Sequence, residues 1–403
     1  SVPSSIRNEG NVPPNIQYEN SHLLQAFPFK IPSLFGKLNT EITPAEMILT
    51  NGYPLETHFI TTDDKYVLTF YRIPGPPHAI PVFLQHGVFE SAADWLHIGR
   101  NKSLALLLSD RGYDVWLGNA RGNTYAKMHD ILAISDPGFW NFSWNELGIY
   151  DIPAAITYIT NISNKTLFYV GHSMGSSSFA VMASEKPEIA SNVRAMFALA
   201  PVVYDGHIKQ PLLKIVAPFW KEFQWITKVL GIHELLGRNV LFDFIANHVC
   251  PIFFIGDFIC SNILFFIGGF DRDHLKKGLT PSIISKIPAG TSVKLFVHWL
   301  QQMDLGEFRN FDYGTKDNLK AYGSPEPPNY DLSKIQVPIA VFCSDNDWIE
   351  SPTDAKHFYE QVPNKLGFYE VDHSYNHFDF LWGLNASSLV YSTIFDLMSQ
   401  FVD

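Results

Sequence analysis

A five-residue stretch constrains this chain more than any other: Gly171-His172-Ser173-Met174-Gly175. It joins an apolar run, Leu167–Val170, read as a buried strand, to a segment from Met174 to Ser184, read as a helix. A strand that turns directly into a helix leaves almost no room around the turn. Glycine two positions to either side of the serine is the sequence's answer to that crowding. The turn exposes the serine Oγ at the edge of a sheet and brings the backbone N–H of Met174 to a helix N-terminus, where it can stabilise a developing oxyanion.

The rest of the chain has the rhythm such a turn requires. Strand-like runs occur at His58–Thr61, Tyr66–Ile73, Ile80–Gln85, Tyr113–Leu117, Leu167–Val170, Ala195–Leu199, Val337–Phe342 and Leu366–Val371. Helical stretches fall at Leu104–Ser109, Asp151–Ile159, Met174–Ser184 and Ser387–Gln400. Buried strands alternating with helices predict a mostly parallel sheet covered on both faces. The rhythm breaks from about 204 to 322, a region rich in Phe, Trp, Leu and Ile at helical spacing, which reads as an inserted helical subdomain. It separates two parts of the core, 41–203 and 323–403, and residues 1–40, rich in Pro, Asn and Ser, read as an extended arm.

A serine hydroxyl needs a histidine base, oriented by a carboxylate, before it can attack. Two loops that follow strands supply candidates, Ser344-Asp345-Asn346-Asp347-Trp348 and Asp372-His373-Ser374-Tyr375-Asn376-His377-Phe378-Asp379. Position alone leaves Asp345 against Asp347 and His373 against His377. The second oxyanion donor is expected after the strand Ile80–Gln85, at the Val88 N–H in His86-Gly87-Val88, with Gly87 easing close backbone approach. A metal site is not expected. His373 and His377 are spaced as in H-E-x-x-H, but Ser374 stands where the glutamate belongs. The calcium-like start at Asp345 and Asp347 is broken by Ile349 and a missing glycine.

Composition narrows the function classes. Of 403 residues, 46 % are apolar and 17 % charged, with a net charge of −11. So few charges exclude a disordered chain, and the acidic balance argues against a nucleic-acid partner. Protonating all 15 histidines would carry the formal charge from −11 to +4, so an acidic medium would remake this surface. Val249–Phe270 is long enough to cross a bilayer and holds one charge, Asp257. Pro251, Asp257 and two cysteines close enough to close a small loop, Cys250 and Cys260, make it poor material for a transmembrane anchor. Within the insertion it reads as lining or covering an acyl-chain site, or as core of the subdomain. The chain opens at Ser1 with neither a methionine nor an apolar leader, the expectation for a processed form. Five N-glycosylation sequons, at Asn101, Asn141, Asn161, Asn164 and Asn385, tilt the chain toward the secretory route.

With these residues in view, the chain resembles the acid lipases, the gastric and lysosomal enzymes and their insect relatives. The matching strings are Leu84–Gly87 (LQHG), Asn101–Leu106 (NKSLAL), Gly112–Thr124 (GYDVWLGNARGNT), Gly171–Gly175 and Tyr375–Leu384 (YNHFDFLWGL). Ile42–Pro74, with GYP at Gly52–Pro54 and RIP at Arg72–Pro74, looks like the family's N-terminal module. The resemblance implies an α/β-hydrolase fold with a helical cap and lid, and a triad of Ser173, Asp347 and His377. It also implies oxyanion donors at Val88 and Met174, a cap disulfide between Cys250 and Cys260, and no cofactor. Met174 departs from the glutamine common after the serine. Ser344-Asp345-Asn346 replaces the usual residues before the aspartate, and Asp345 is expected to place a negative charge near His377 and shift the pH optimum.

The function expected is hydrolysis of neutral-lipid esters, of triacylglycerol or cholesteryl ester type, at a lipid–water interface, in a secreted or lysosomal setting. The alternatives are a carboxylesterase for short soluble esters and a lipase-like lipid-binding or storage protein without turnover.

Overall fold

Nine strands form one sheet. Its order is β1 (Glu56–Thr61), β2 (Tyr66–Ile73), β4 (Asp114–Leu117), β3 (Pro81–Gln85), β6 (Leu167–His172), β7 (Val193–Leu199), β10 (Ile339–Cys343) and β11 (Lys365–Glu370), with short β5 (Met128–His129) pairing to β2. The computed structural model describes residues 42–237, 266–270, 274, 275 and 278–401. The arm at 1–40, both insertion cysteines and most of the Val249–Phe270 run lie outside them.

The sheet is antiparallel only at its first edge, where β1 pairs β2 and β2 pairs β4 and β5. From β4 to β11 every pairing is parallel. A parallel strand must cross over to return, so its connections run through helices that cover both faces. This is why β6 reads as an unbroken apolar run: all six of its residues are buried. Alternate side chains enter opposite cores. Phe168 and Val170 pack with Leu84, Phe197, Phe342 and Trp382 on one face, beneath helices Leu104–Asp110 and Ser392–Ser399. Leu167 and Tyr169 pack with Phe83, Met196 and Val341 on the other, with helices Ile152–Ser163, Met174–Glu185 and Pro352–Gln361.

The expected elements are present, with instructive shifts at their ends. β10 starts at Ile339 rather than Val337, because Pro338 has no N–H to donate to a ladder. The helix expected from Asp151 starts at Ile152 and is entered through a π-turn at Leu147–Asp151. The last helix likewise begins as a π-turn, Ser387–Tyr391, which seats the buried Tyr391 hydroxyl on the Phe380 carbonyl at 2.7 Å.

In the stretch 204–322 the described helices are Pro211–Val216, Trp220–Val229, Thr280–Ile284, Val293–Leu305 and Thr315–Tyr322. Trp220, Val297, Trp299, Leu300 and Phe311 form an apolar cluster that also takes in Val202 and Ile349. The helical reading missed one feature, a small antiparallel pair of β8 (Glu234–Leu235) and β9 (Thr291–Ser292). Two residues per strand are too few to leave an alternating pattern.

Candidate active site

Four parallel strands, β3, β6, β10 and β11, deliver the candidate residues to one edge of the sheet. Ser173 follows β6 immediately and caps the helix Met174–Glu185, with φ 53° and ψ −121°. That backbone conformation is strained for any residue with a Cβ. It is held by packing: a Cβ on Gly175 would stand 2.4 Å from the Gln85 carbonyl oxygen, and one on Gly87 would stand 2.8 Å from the Ser173 Cβ. The elbow and the β3 loop are therefore pressed together, which brings Val88 beside Ser173. Met174 is the first residue of its helix, where the backbone N–H has no partner inside the helix.

The two aspartates and two histidines sort into two pairs. His377 Nδ1 donates to Asp347 Oδ2 at 2.7 Å, and both residues are buried. His373 Nδ1 donates to Asp345 Oδ2 at 2.8 Å, with both side chains more than half exposed. The Asp345 carboxylate, which the sequence suggested would lie near His377, meets His373 instead. The turn at Asn346 carries that carboxylate outward. Asp347 Oδ1 accepts from the Ile349 and Glu350 N–H groups, both at 2.8 Å, so its carboxylate acts as an acceptor throughout. In the neutral ring, Nδ1 as the donor leaves His377 Nε2 as the acceptor. The two loops are tied by one atom, the Gly268 carbonyl, which accepts from Trp348 N and His377 N, each at 3.1 Å.

The β3 loop is braced by His86, which the sequence offered as a residue that holds the loop in shape, and by Asn119 and Asn123, to which it gave no role. His86 Nε2 accepts from Ala120 N at 3.0 Å and Asn123 Nδ2 at 3.1 Å, so its proton lies on Nδ1, facing the Gly87 carbonyl. Burial drives its pKa down and keeps it neutral. Asn119 accepts from Ala92 N and donates to the Thr69 carbonyl. Arg121 lies buried between Asp64 and Asp151. The Gly112–Thr124 string is therefore a scaffold for the loop before Val88. Glu90 and His172 were also missed. A lone glutamate in an otherwise uncharged loop, and a histidine inside the serine motif, were the available signals.

Ser173, His377 and Val88 open on one cavity of about 400 Å³. Its wall is mainly aliphatic and aromatic, including Leu213, Ile284, Ile287, Phe296, Trp299 and Ile349, and Ile267 of the apolar run also reaches it. Glu90, His172 and His377 place ligand-type atoms within 4.8 Å of one another. They do not suit a metal: both ring nitrogens of His172 are already hydrogen-bonded, and His377 Nδ1 belongs to Asp347. All five sequon asparagines are exposed.

Behind Asp347 lie further buried acids. Neither carboxyl oxygen of Glu350 has a hydrogen-bond partner among the described residues. Burial, reinforced by Asp347, Asp205 and Asp354, pushes its pKa well above the ordinary 4.5. Asp205 is raised in the same way, mainly by burial. Such an acid holds its proton when folded and loses it on unfolding above 4.5, so stability falls as pH rises past that value. Glu350→Gln is expected to flatten this decline. Thermal melts from acid to neutral pH test it: equal slopes for variant and parent would refute the assignment.

Known proteins place the chain. A family model described as a partial alpha/beta-hydrolase lipase region matches residues 44–99, and one described as alpha/beta hydrolase fold matches residues 80–253. Among solved structures, an alpha/beta hydrolase fold protein from Nakamurella multipartita superimposes with a TM-score of 0.52 at 13 % identity, covering 85 % of this chain and 98 % of that one. Fold and matches define an α/β-hydrolase. Lipase 3 of Drosophila melanogaster is 38 % identical over 364 residues, covering 88 % of this chain and 92 % of that protein. Gastric triacylglycerol lipase of Rattus norvegicus is 35 % identical, covering 91 % and 95 %. The human lysosomal acid lipase/cholesteryl ester hydrolase is 33 % identical, covering 90 % and 92 %. The chain belongs to the acid lipase family.

Proposed function

We propose that this protein hydrolyses carboxylic esters of neutral lipids, triacylglycerol or cholesteryl ester, through an acyl-enzyme on Ser173. The observation that carries the reading is the buried Asp347–His377 pair facing an apolar cavity shared with Ser173. His377 Nε2 takes the hydroxyl proton as the serine Oγ attacks the ester carbonyl. The tetrahedral oxyanion is stabilised by the Val88 and Met174 N–H groups. His377 then gives its proton to the leaving alcohol, and water, deprotonated by the same nitrogen, releases the acid. Asp347 holds the tautomer and faces the imidazolium that forms.

The cavity wall excludes water and suits an acyl chain better than a small polar acid. Around it the surface is unusually apolar. Leu212, which lines the cavity, is exposed, as are Ile215, Phe219, Trp225, Val229 and Leu230 on the neighbouring helices. A soluble chain that leaves such a patch open favours contact with a lipid surface. We read the 204–322 insertion as a cap carrying that surface. No helix among the described residues is long and apolar enough to cross a membrane. Five exposed sequons fit a glycoprotein of the secretory route, secreted or lysosomal.

Long-chain triacylglycerol emulsions and a soluble short-chain ester, compared at acid and neutral pH, test this reading. Turnover of the emulsion is expected, and Trp225→Ser with Leu230→Ser should lower it about five- to tenfold while sparing the soluble ester. Cleavage of the soluble ester alone would replace the lipase reading by a short-chain carboxylesterase. No reaction with a fluorophosphonate probe would replace it by a binding protein.

A further inference from the structure

We propose that Glu90 and His172 form a buried positioning pair that sets the oxyanion loop and the general base against each other. The inference rests on the ester-hydrolysis reading above and adds two residues to it, neither of which is part of the triad.

The geometry is a chain of four groups. Glu90 is 2 % exposed, and its Oε2 accepts from the Gly87 N–H at 2.6 Å, one residue before Val88. The same carboxylate meets His172 Nδ1 at 2.9 Å through Oε1 and 3.0 Å through Oε2. His172 is fully buried, and its Nε2 lies 2.9 Å from the His377 carbonyl oxygen. A carbonyl can only accept, so Nε2 carries a proton. With the Glu90 carboxyl drawn toward its charged form by His172 and the Gly87 N–H, and His172 toward its protonated form by Glu90, the proton between them lies on Nδ1, which makes the histidine an imidazolium. The oxyanion loop, which follows β3, is thereby linked to the histidine loop, which follows β11, through a residue of the nucleophile turn.

The electrostatics agree. Burial alone would drive His172 down, but the Glu90 carboxylate more than offsets it, and its pKa is raised. Burial alone would drive Glu90 up, but His172, His377 and the Gly87 N–H draw it below the ordinary value. The other titratable groups facing the pair are His86, Asp347 and His377, whose ring lies 4.8 Å from that of His172, centroid to centroid. Signs follow directly. The pair is intact above the lowered Glu90 pKa and is lost as pH rises through the raised His172 pKa. The working window thus extends into acid and closes on the alkaline side.

A pair that sets two catalytic elements should affect turnover more than binding. Displacements well under an ångström at such groups cost large factors in rate. Glu90→Gln is expected to lower kcat on a soluble ester about 10- to 100-fold, with KM changed less than about twofold. It should also move the alkaline decline of kcat to lower pH, because His172 loses the carboxylate that holds its proton. His172→Gln should cost a similar factor. The double variant should cost little more than either single one, since both break the same link.

Wild-type turnover separates this proposal from the reading beneath it. If the wild type cleaves no ester, both fall. If it does, and Glu90→Gln leaves kcat and its pH profile unchanged, the pair alone is refuted. Multiplicative costs in the double variant refute it too, as does a lowered melting temperature with an unshifted pH profile.

Discussion

Ser173→Ala is expected to reduce ester turnover by about 10⁶-fold, the scale of removing a triad nucleophile. The substitution deletes one oxygen from a side chain that is 2 % exposed and leaves the Cβ in place. The elbow keeps its backbone, because the φ of 53° is held by the contacts among Gly87, Gly175 and Gln85 rather than by the hydroxyl. The melting temperature should therefore stay close to that of the parent. Fluorophosphonate labelling, followed by intact mass, should disappear. Retained turnover in a folded Ser173→Ala protein would remove the acyl-enzyme from the mechanism.

The second large effect separates the two aspartates. Asp347→Asn is expected to cost about 10⁴-fold in kcat, the loss typical when a triad acid becomes an amide. The reason is a proton count. An asparagine here can still accept from the Ile349 and Glu350 N–H groups through its oxygen. It then turns its NH₂ toward His377 Nδ1, which must become an acceptor. The ring proton moves to Nε2, and the base is gone. Asp345→Asn should change activity less than about twofold, because it breaks only an exposed pair with His373. Rates of the two variants, measured side by side on one soluble ester, decide the assignment. A larger loss at Asp345 would move the catalytic acid there.

The sheet edge that carries these residues was legible because its signals are local. A parallel strand buried on both faces must be apolar along its length, as β3, β6 and β10 are. A turn with no room must carry glycines, and both lie where the strand and helix press closest. Small elements left no such trace: β5, β8 and β9 are two residues each, and the two π-turns have the composition of ordinary helix.

The pairing of acids with bases was of another kind. Asp345 and Asp347 are two positions apart and His373 and His377 four, so both members of each set arrive on the same loop. Burial chooses between them. The inner pair is buried, while the outer pair stays more than half exposed, and no periodicity encodes that difference. Glu90 lies 82 residues from His172, and His172 lies 205 from the carbonyl it meets.

The sequence alone determined the α/β layering, the strained serine elbow and the loops from which a base and its acid must come. Each is imposed by sterics or burial within a few residues of chain. The family resemblance already pointed to Asp347 and His377; only the tertiary structure showed their buried contact, the outward turn of Asp345 to His373, and a buried glutamate bonded to the Gly87 N–H and to His172. Those outcomes depend on which groups are shut away from water together, and that is set by the packing of strands far apart in the chain.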